Sequence, residues 1–78
     1  MNLINAKKNE TYIIIDILKC SDEIQSRFNQ LGFNLGSKIV LKRKAPFFGD
    51  PLLFEVGESQ IALTKNEASL IKIDLIQG

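Results

Sequence analysis

Apolar and polar residues change their spacing several times along the chain, and each change marks a new element. β-branched residues dominate residues 11–19, which predicts a strand with much of both faces covered. Ser21 is a favourable residue for a helix start. Ile24, Phe28 and Leu31 then recur at helical spacing. The first part of the chain is therefore predicted to be a strand followed by an amphipathic helix.

A glycine marks the predicted end of this helix. Gly32 follows the last periodic residue and suits the left-handed position after a helix C-terminus. Phe33 comes next, and a Schellman ending would pack it back on Phe28. Gly36 lies in the following turn at a position that requires a positive φ. We expect the chain to turn there directly into its next strand.

The second half of the chain alternates apolar and polar residues with a period of two, which is typical of half-buried strands. The predicted strands cover residues 38–45, 52–56, 60–63 and 71–76. Gly49 and Pro51 shape a turn before the second of these strands. Gly57 takes the first central position of a two-residue hairpin. Thr64 and Glu67 have the spacing of a capping box, which predicts a short helix before the last strand.

The predicted order of elements is β-α-β-β-β-α-β. Five short strands in an open, flat sheet would leave apolar surface and strand edges exposed to water. Curling into a small barrel covers the inner face and limits the edges. We therefore predict a mainly β fold, a five-stranded barrel with one longer and one short helix. At this length we expect a single domain over residues 1–78.

Charge and hydropathy narrow the classes of partner. Ten basic residues are balanced by nine acidic ones, giving a net charge of +1. Nucleic-acid binders usually cluster several basic residues, so we expect no nucleic-acid partner. A peptide- or RNA-binding barrel is a further alternative, with RNA the least favoured because the chain has a single Tyr. Apolar runs are too short for membrane insertion and the N-terminus lacks a signal-peptide core, which predicts a cytoplasmic protein.

The chain has no histidine and one cysteine. The missing imidazole excludes Ser-His-Asp and Cys-His nucleophilic systems and the usual imidazole metal ligands. Cys20 and carboxylates alone are a weak set of ligands for a transition metal. We therefore expect a protein that is not an enzyme, with no catalytic residue, cofactor-binding residue or metal ligand to assign. A weak contact with a divalent metal is the alternative that this composition leaves open.

The loop after the second predicted strand is the best candidate for partner binding. Period-two alternation places Lys42 and Lys44 on one side of that strand and Arg43 on the other. Phe47 and Phe48 follow in the loop, and two consecutive aromatics do not both fit one small core. Exposed aromatics are common at binding hot spots. We predict that Arg43, Lys44, Phe47 and Phe48 contact a partner, the alternatives being local packing and a solvated strand face.

Several segments, taken in order, resemble the FeoA family of small cytosolic components of bacterial ferrous-iron transport. Residues 27–33 resemble its Arg-x-x-x-Leu-Gly helix ending, and Gly36 matches the glycine that starts its second strand. Residues 44–51 resemble its Ala-Pro…Gly-Asp-Pro loop. Residues 61–68 resemble its Ile-Ala-Leu…Glu-Ala segment. The spacing of these pieces carries the resemblance over nearly the whole chain.

The resemblance implies a fold, a process and a partner. It implies an SH3-like barrel and an accessory or regulatory role in Fe²⁺ uptake. It also implies docking on the cytosolic GTP-binding part of FeoB, the large membrane iron transporter. The alternative is a free-standing metal-sensing domain, because similar barrels occur in metal-dependent repressors. A complete repressor is not expected, since the chain has no room for a DNA-binding helix-turn-helix.

Overall fold

The computed structural model describes residues 1–45 and 49–76. A 3₁₀ turn at Leu3–Asn5 precedes the first strand. The strands are β1 (Thr11–Ile17), β2 (Lys38–Lys44), β3 (Leu52–Val56), β4 (Ser59–Leu63) and β5 (Ile71–Leu75). The helices are α1 (Asp22–Gln30) and α2 (Lys65–Ala68). The predicted order β-α-β-β-β-α-β is confirmed.

The strands form one antiparallel sheet in the order β4-β3-β2-β1-β5. β4 and β5 are its two end strands, and α2 connects them directly. Ile61 and Leu63 of β4 belong to the same buried cluster as Ile71 and Ile73 of β5. Because both ends of the sheet contribute to one core, the sheet curls around that core.

β1 buries one face and not both. Tyr12 and Ile14 are buried, whereas Ile15 is half exposed. A register shift against β5 between Ile14 and Asp16 makes Ile15 a bulge residue. The prediction of a strand over residues 11–19 with much of both faces covered is therefore wrong at its end and on its outer face. β-branched residues favour any pleated position, so their abundance did not indicate how many faces are buried.

Asp16 is exposed, although it lies in an otherwise apolar strand. It does not lie at an edge of the sheet. β1 pairs with β2 on one side and with β5 on the other, so it lies inside the sheet. The carboxylate is accommodated because this face of the strand meets water, and its Oδ1 atom accepts the N–H of Ile17 at 2.9 Å.

α1 ends with two hydrogen bonds and an aromatic contact. Gly32 has a φ of 88°, and its N–H donates to the carbonyl of Asn29 at 3.2 Å. The N–H of Phe33 donates to the carbonyl of Phe28 at 2.9 Å. The Phe28 and Phe33 rings meet edge to face, with centroids 5.7 Å apart. This is the geometry of a Schellman ending, and it carries the chain from the helix into the core.

The N-terminal segment is an unpredicted part of the core. Leu3 and Ala6 are buried in the same cluster as the strands. Asn2 caps the 3₁₀ turn, because its Oδ1 atom accepts the N–H of Ile4 at 2.9 Å. The carbonyl of Met1 accepts the N–H of Ile73 at 2.9 Å, so this segment also covers the outer edge of β5.

Replacing Leu3 by Ala should strongly destabilise the fold, because Leu3 is fully buried. We expect a loss of about 2–5 kcal/mol in the free energy of unfolding, measured by urea denaturation. Ile4→Ala is the matched control, since Ile4 is 38% exposed, and it should cost less than about 1 kcal/mol. Equal losses in the two variants would contradict a packing role for the N-terminal turn.

Candidate docking surface

The C-terminal end of β2 places basic side chains at the surface. A register shift in the pairing with β3 makes Lys42 a bulge residue. Arg43 then lies opposite the half-buried Leu53, and Lys44 lies opposite the buried Leu52. Arg43 therefore belongs to the outer face, together with Lys42, and Lys44 lies at the rim of the inner face. The prediction that Lys42 and Lys44 share one side is wrong, because a bulge shifts the alternation by one residue.

The described ends of the following loop are tied to regular structure. The N–H of Ala45 donates to the carbonyl of Pro51 at 3.0 Å. Asp50 Oδ1 accepts the N–H of Lys65 at 3.0 Å, which attaches the loop to the start of α2. Gly49 has a φ of 67°, and a Cβ atom there would lie 3.9 Å from the Lys65 side chain. These contacts hold the strand end, both flanks of the loop and α2 in one arrangement.

The predicted contact residues are thus placed in part. Arg43 and Lys44 are exposed at the end of β2. Phe47 and Phe48 lie outside the described residues. Among the predicted turn residues, Gly49 and Pro51 flank this loop, and the Asp50–Pro51 peptide bond is cis. The others lie elsewhere in the fold, with positive φ values at Gly32, Gly36 and Gly57.

Two of the sequence segments that resemble the FeoA family meet in space. Arg27 of α1 forms an ion pair with Glu67 of α2. Glu67 also completes the capping box, since its Oε1 atom accepts the N–H of Thr64 at 3.0 Å and its own N–H donates to Thr64 Oγ1 at 3.2 Å. The two side chains therefore join the helices. Sequence reasoning predicted the capping box and missed the ion pair, whose partners are 40 residues apart.

The carboxylates and the thiol do not converge. Among the residues that the structure describes, no group of three or more Cys, Asp or Glu side chains could hold a metal ion. Cys20 is a free, half-buried cysteine between β1 and α1. Within the same residues, neither helix is long and apolar enough to cross a membrane.

The strand order and the shared core define the class of this protein: a small SH3-like barrel. The chain belongs to the FeoA family, whose FeoA domain profile matches residues 1–75. A comparison with curated protein sequences finds no match. The predicted SH3-like fold and family resemblance are confirmed.

Solved structures agree with this assignment. Stenotrophomonas maltophilia FeoA, an SH3 domain protein solved with zinc, is 29% identical over 95% of this chain and 89% of the other, with a TM-score of 0.82. Iron(II) transport protein A from Clostridium thermocellum is 29% identical over 97% of this chain and 46% of its own, with a TM-score of 0.89. Chlorobium tepidum FeoA is 24% identical over 100% of this chain and 72% of its own, with a TM-score of 0.89, which shows the fold alone.

Family membership gives the general function. FeoA proteins are small proteins associated with ferrous-iron transport, and the family is not a known family of enzymes. Arg27 and Glu67, which belong to segments that carry the family pattern, connect α1 to α2. The exposed basic residues of the candidate surface are Arg43 and Lys44, at the end of β2.

The Asp50 side chain should matter for the stability of the loop flank. Asp50→Ala removes the acceptor of the Lys65 N–H and should cost about 1 kcal/mol in the free energy of unfolding, measured by urea denaturation. Asp50→Asn retains an oxygen acceptor and serves as the control, with an expected loss below about 0.5 kcal/mol. If the two variants were equally destabilised, the hydrogen bond would not be the reason.

Proposed function

We propose that this domain is an accessory component of ferrous-iron uptake that docks on the cytosolic GTP-binding part of a FeoB-type membrane transporter. Its family is associated with ferrous-iron transport. The Stenotrophomonas relative is described as a candidate activating factor for that transport, and the Clostridium relative as an iron(II) transport protein. A cytoplasmic location belongs to the same proposal, because the docking site is cytosolic.

One observation carries the proposed docking. Arg43 and Lys44 are exposed at a strand end, and neither side chain has a salt bridge or hydrogen bond to any described residue. Their backbone is held by the pairing of β2 with β3. Cations on a fixed backbone lose little chain entropy when they meet a partner, so more of the interaction energy remains for binding.

The chemistry of the two side chains suits recognition of an acidic surface. Arg43 presents a planar guanidinium that binds carboxylates through two hydrogen bonds, and arginine is enriched at binding hot spots. Lys44 adds a compact charge beside it. Complementary charges speed the encounter of two proteins and select the partner. In this proposal the domain influences transport or GTP turnover through binding, with no reaction of its own.

Reversing the two charges should weaken docking. We expect the Arg43→Glu/Lys44→Glu variant to bind the transporter's cytosolic domain at least about tenfold more weakly than wild type in titration calorimetry. Lys19→Glu/Lys38→Glu makes the same change in net charge at exposed lysines outside this strand end and should stay within about threefold of wild type. Wild-type affinity in the Arg43/Lys44 variant would exclude this strand end from the interface.

The prediction that Phe47 and Phe48 contact the partner comes from the sequence alone. Phe47→Ala/Phe48→Ala should also weaken docking by about tenfold or more, because truncating an interface aromatic commonly costs over 1 kcal/mol. Unchanged affinity in this variant, with loss in the charge-reversed one, would restrict the interface to the basic residues.

We also propose that the domain works without a resident metal ion, because the chain has no histidine and one cysteine. Anaerobic addition of Fe²⁺ should then leave the melting temperature unchanged, since only a ligand that binds the folded state stabilises it. Cys20→Ser is the control variant and should respond in the same way. A rise in melting temperature that Cys20→Ser abolishes would support the metal-sensing alternative.

A further inference from the structure

The N-terminal segment brings two more lysines to the end of β2. Lys8 forms a parallel bridge with Leu41, and the N–H of Asn9 donates to the carbonyl of Leu41 at 2.9 Å. Asn9 has a φ of 68°, at the point where the chain reverses into β1. The segment that holds Lys7 and Lys8 therefore runs beside the last residues of β2, although it precedes them by more than 30 positions.

The basic residues on these two neighbouring stretches of backbone are called the basic patch here and are Lys7, Lys8, Lys42, Arg43 and Lys44. Lys42 is half-buried and the other four are exposed. None of the five side chains forms a salt bridge or hydrogen bond with a residue that the structure describes. The charges of this patch are therefore not neutralised by ion pairing within the described part of the domain, even though the net charge of the chain is only +1.

The backbone at Lys7 and Lys8 is held by hydrogen bonds and by the bridge to β2. The N–H of Lys7 donates to the hydroxyl of Tyr12 at 2.8 Å, and Tyr12 is a buried residue of β1. The carbonyl of Lys7 accepts the N–H of Glu10 at 3.3 Å. The two lysines are thus anchored to the core through their backbone, while their side chains stay at the surface.

We infer that the basic patch is one continuous docking surface, which includes Lys7 and Lys8, and that it receives an acidic surface of a protein partner. The inference rests on the proposed function for the identity of that partner, the cytosolic part of the transporter. It goes further than that proposal by adding the N-terminal segment and by stating the charge of the complementary surface.

The surroundings of the patch favour a protein over a lipid or nucleic-acid surface. Val40 and Leu53 are half-buried apolar residues of the adjacent outer face, as expected of a protein interface with an apolar centre and a polar rim. Glu10 and Glu55 border the patch, at the start of β1 and opposite Val40 respectively. These carboxylates would be repelled by an extended anionic plane or a polyanion, whereas a discrete acidic protein surface can fit between them.

Charge reversal at the N-terminal segment tests the inference separately from Arg43 and Lys44. We expect Lys7→Glu/Lys8→Glu to bind the transporter's cytosolic domain about tenfold more weakly than wild type at about 50 mM salt. The difference should shrink at about 300 mM salt, because salt screens exposed charges. Lys19→Glu/Lys38→Glu is the matched control and should stay within about threefold of wild type. Unchanged melting temperatures would show that both variants fold.

An NMR titration of the labelled full chain locates the surface directly. Amide shifts at residues 7, 8 and 42–44 should change together on adding the cytosolic domain. Binding by wild type and the Lys7/Lys8 variant with equal affinity would overturn the inference and leave the proposed function standing. If wild type does not bind the cytosolic domain, the proposed function is wrong. A decaglutamate peptide is then titrated in its place. Unchanged amide shifts at residues 7, 8 and 42–44 in that titration would overturn the inference of an acidic partner surface.

Anionic lipid vesicles and double-stranded DNA test the two other classes of partner, a membrane surface and a nucleic acid. Neutral lipid vesicles and vesicles containing anionic phosphatidylserine are compared by co-sedimentation, and double-stranded DNA is compared by titration. We expect neither anionic probe to bind as tightly as the cytosolic domain at about 150 mM salt. Tighter binding to the anionic vesicles or to DNA would overturn the assignment to an acidic protein surface.

Discussion

A core shared by both ends of one sheet is the constraint on which the rest of this structure depends. A chain of 78 residues has little interior, and β4 and β5 must meet around the same buried cluster to form it. Within the described residues no polar or charged residue is buried. The buried residues therefore contribute to stability, and the polar and charged side chains of the described residues lie at the surface.

The same constraint explains why elements outside the sheet are attached by polar contacts. α2 is a single turn that packs only Ala68 deep into the core, and its capping box supplies hydrogen bonds that so short a helix lacks. The Arg27–Glu67 ion pair then connects α2 to α1. Exposed ion pairs contribute little stability, so this contact positions the two helices more than it stabilises them.

Sequence pattern predicted much of this fold, and two of the features that it missed share a cause. Period-two alternation places Phe54, Ile61 and Ile73 inward because the pleat imposes it, and a capping box is a contact between near neighbours. The burial of Leu3 and the pairing of Arg27 with Glu67 depend on residues far away in the chain. Local pattern carries no signal for such contacts, and for the same reason it does not show that the basic run of β2 lies beside the N-terminal segment.

The bulge at Lys42 shows how one irregular residue determines the surface of a small barrel. With regular alternation, Arg43 would point away from both Lys42 and Lys44. The extra residue puts both Lys42 and Arg43 on the outer face, directly after Leu41, which forms the bridge to Lys8. A bulge uses the same residue types as a regular strand, so composition does not reveal it. In a domain whose interior is filled, such departures from regular pairing are what bring charges together where a partner can reach them.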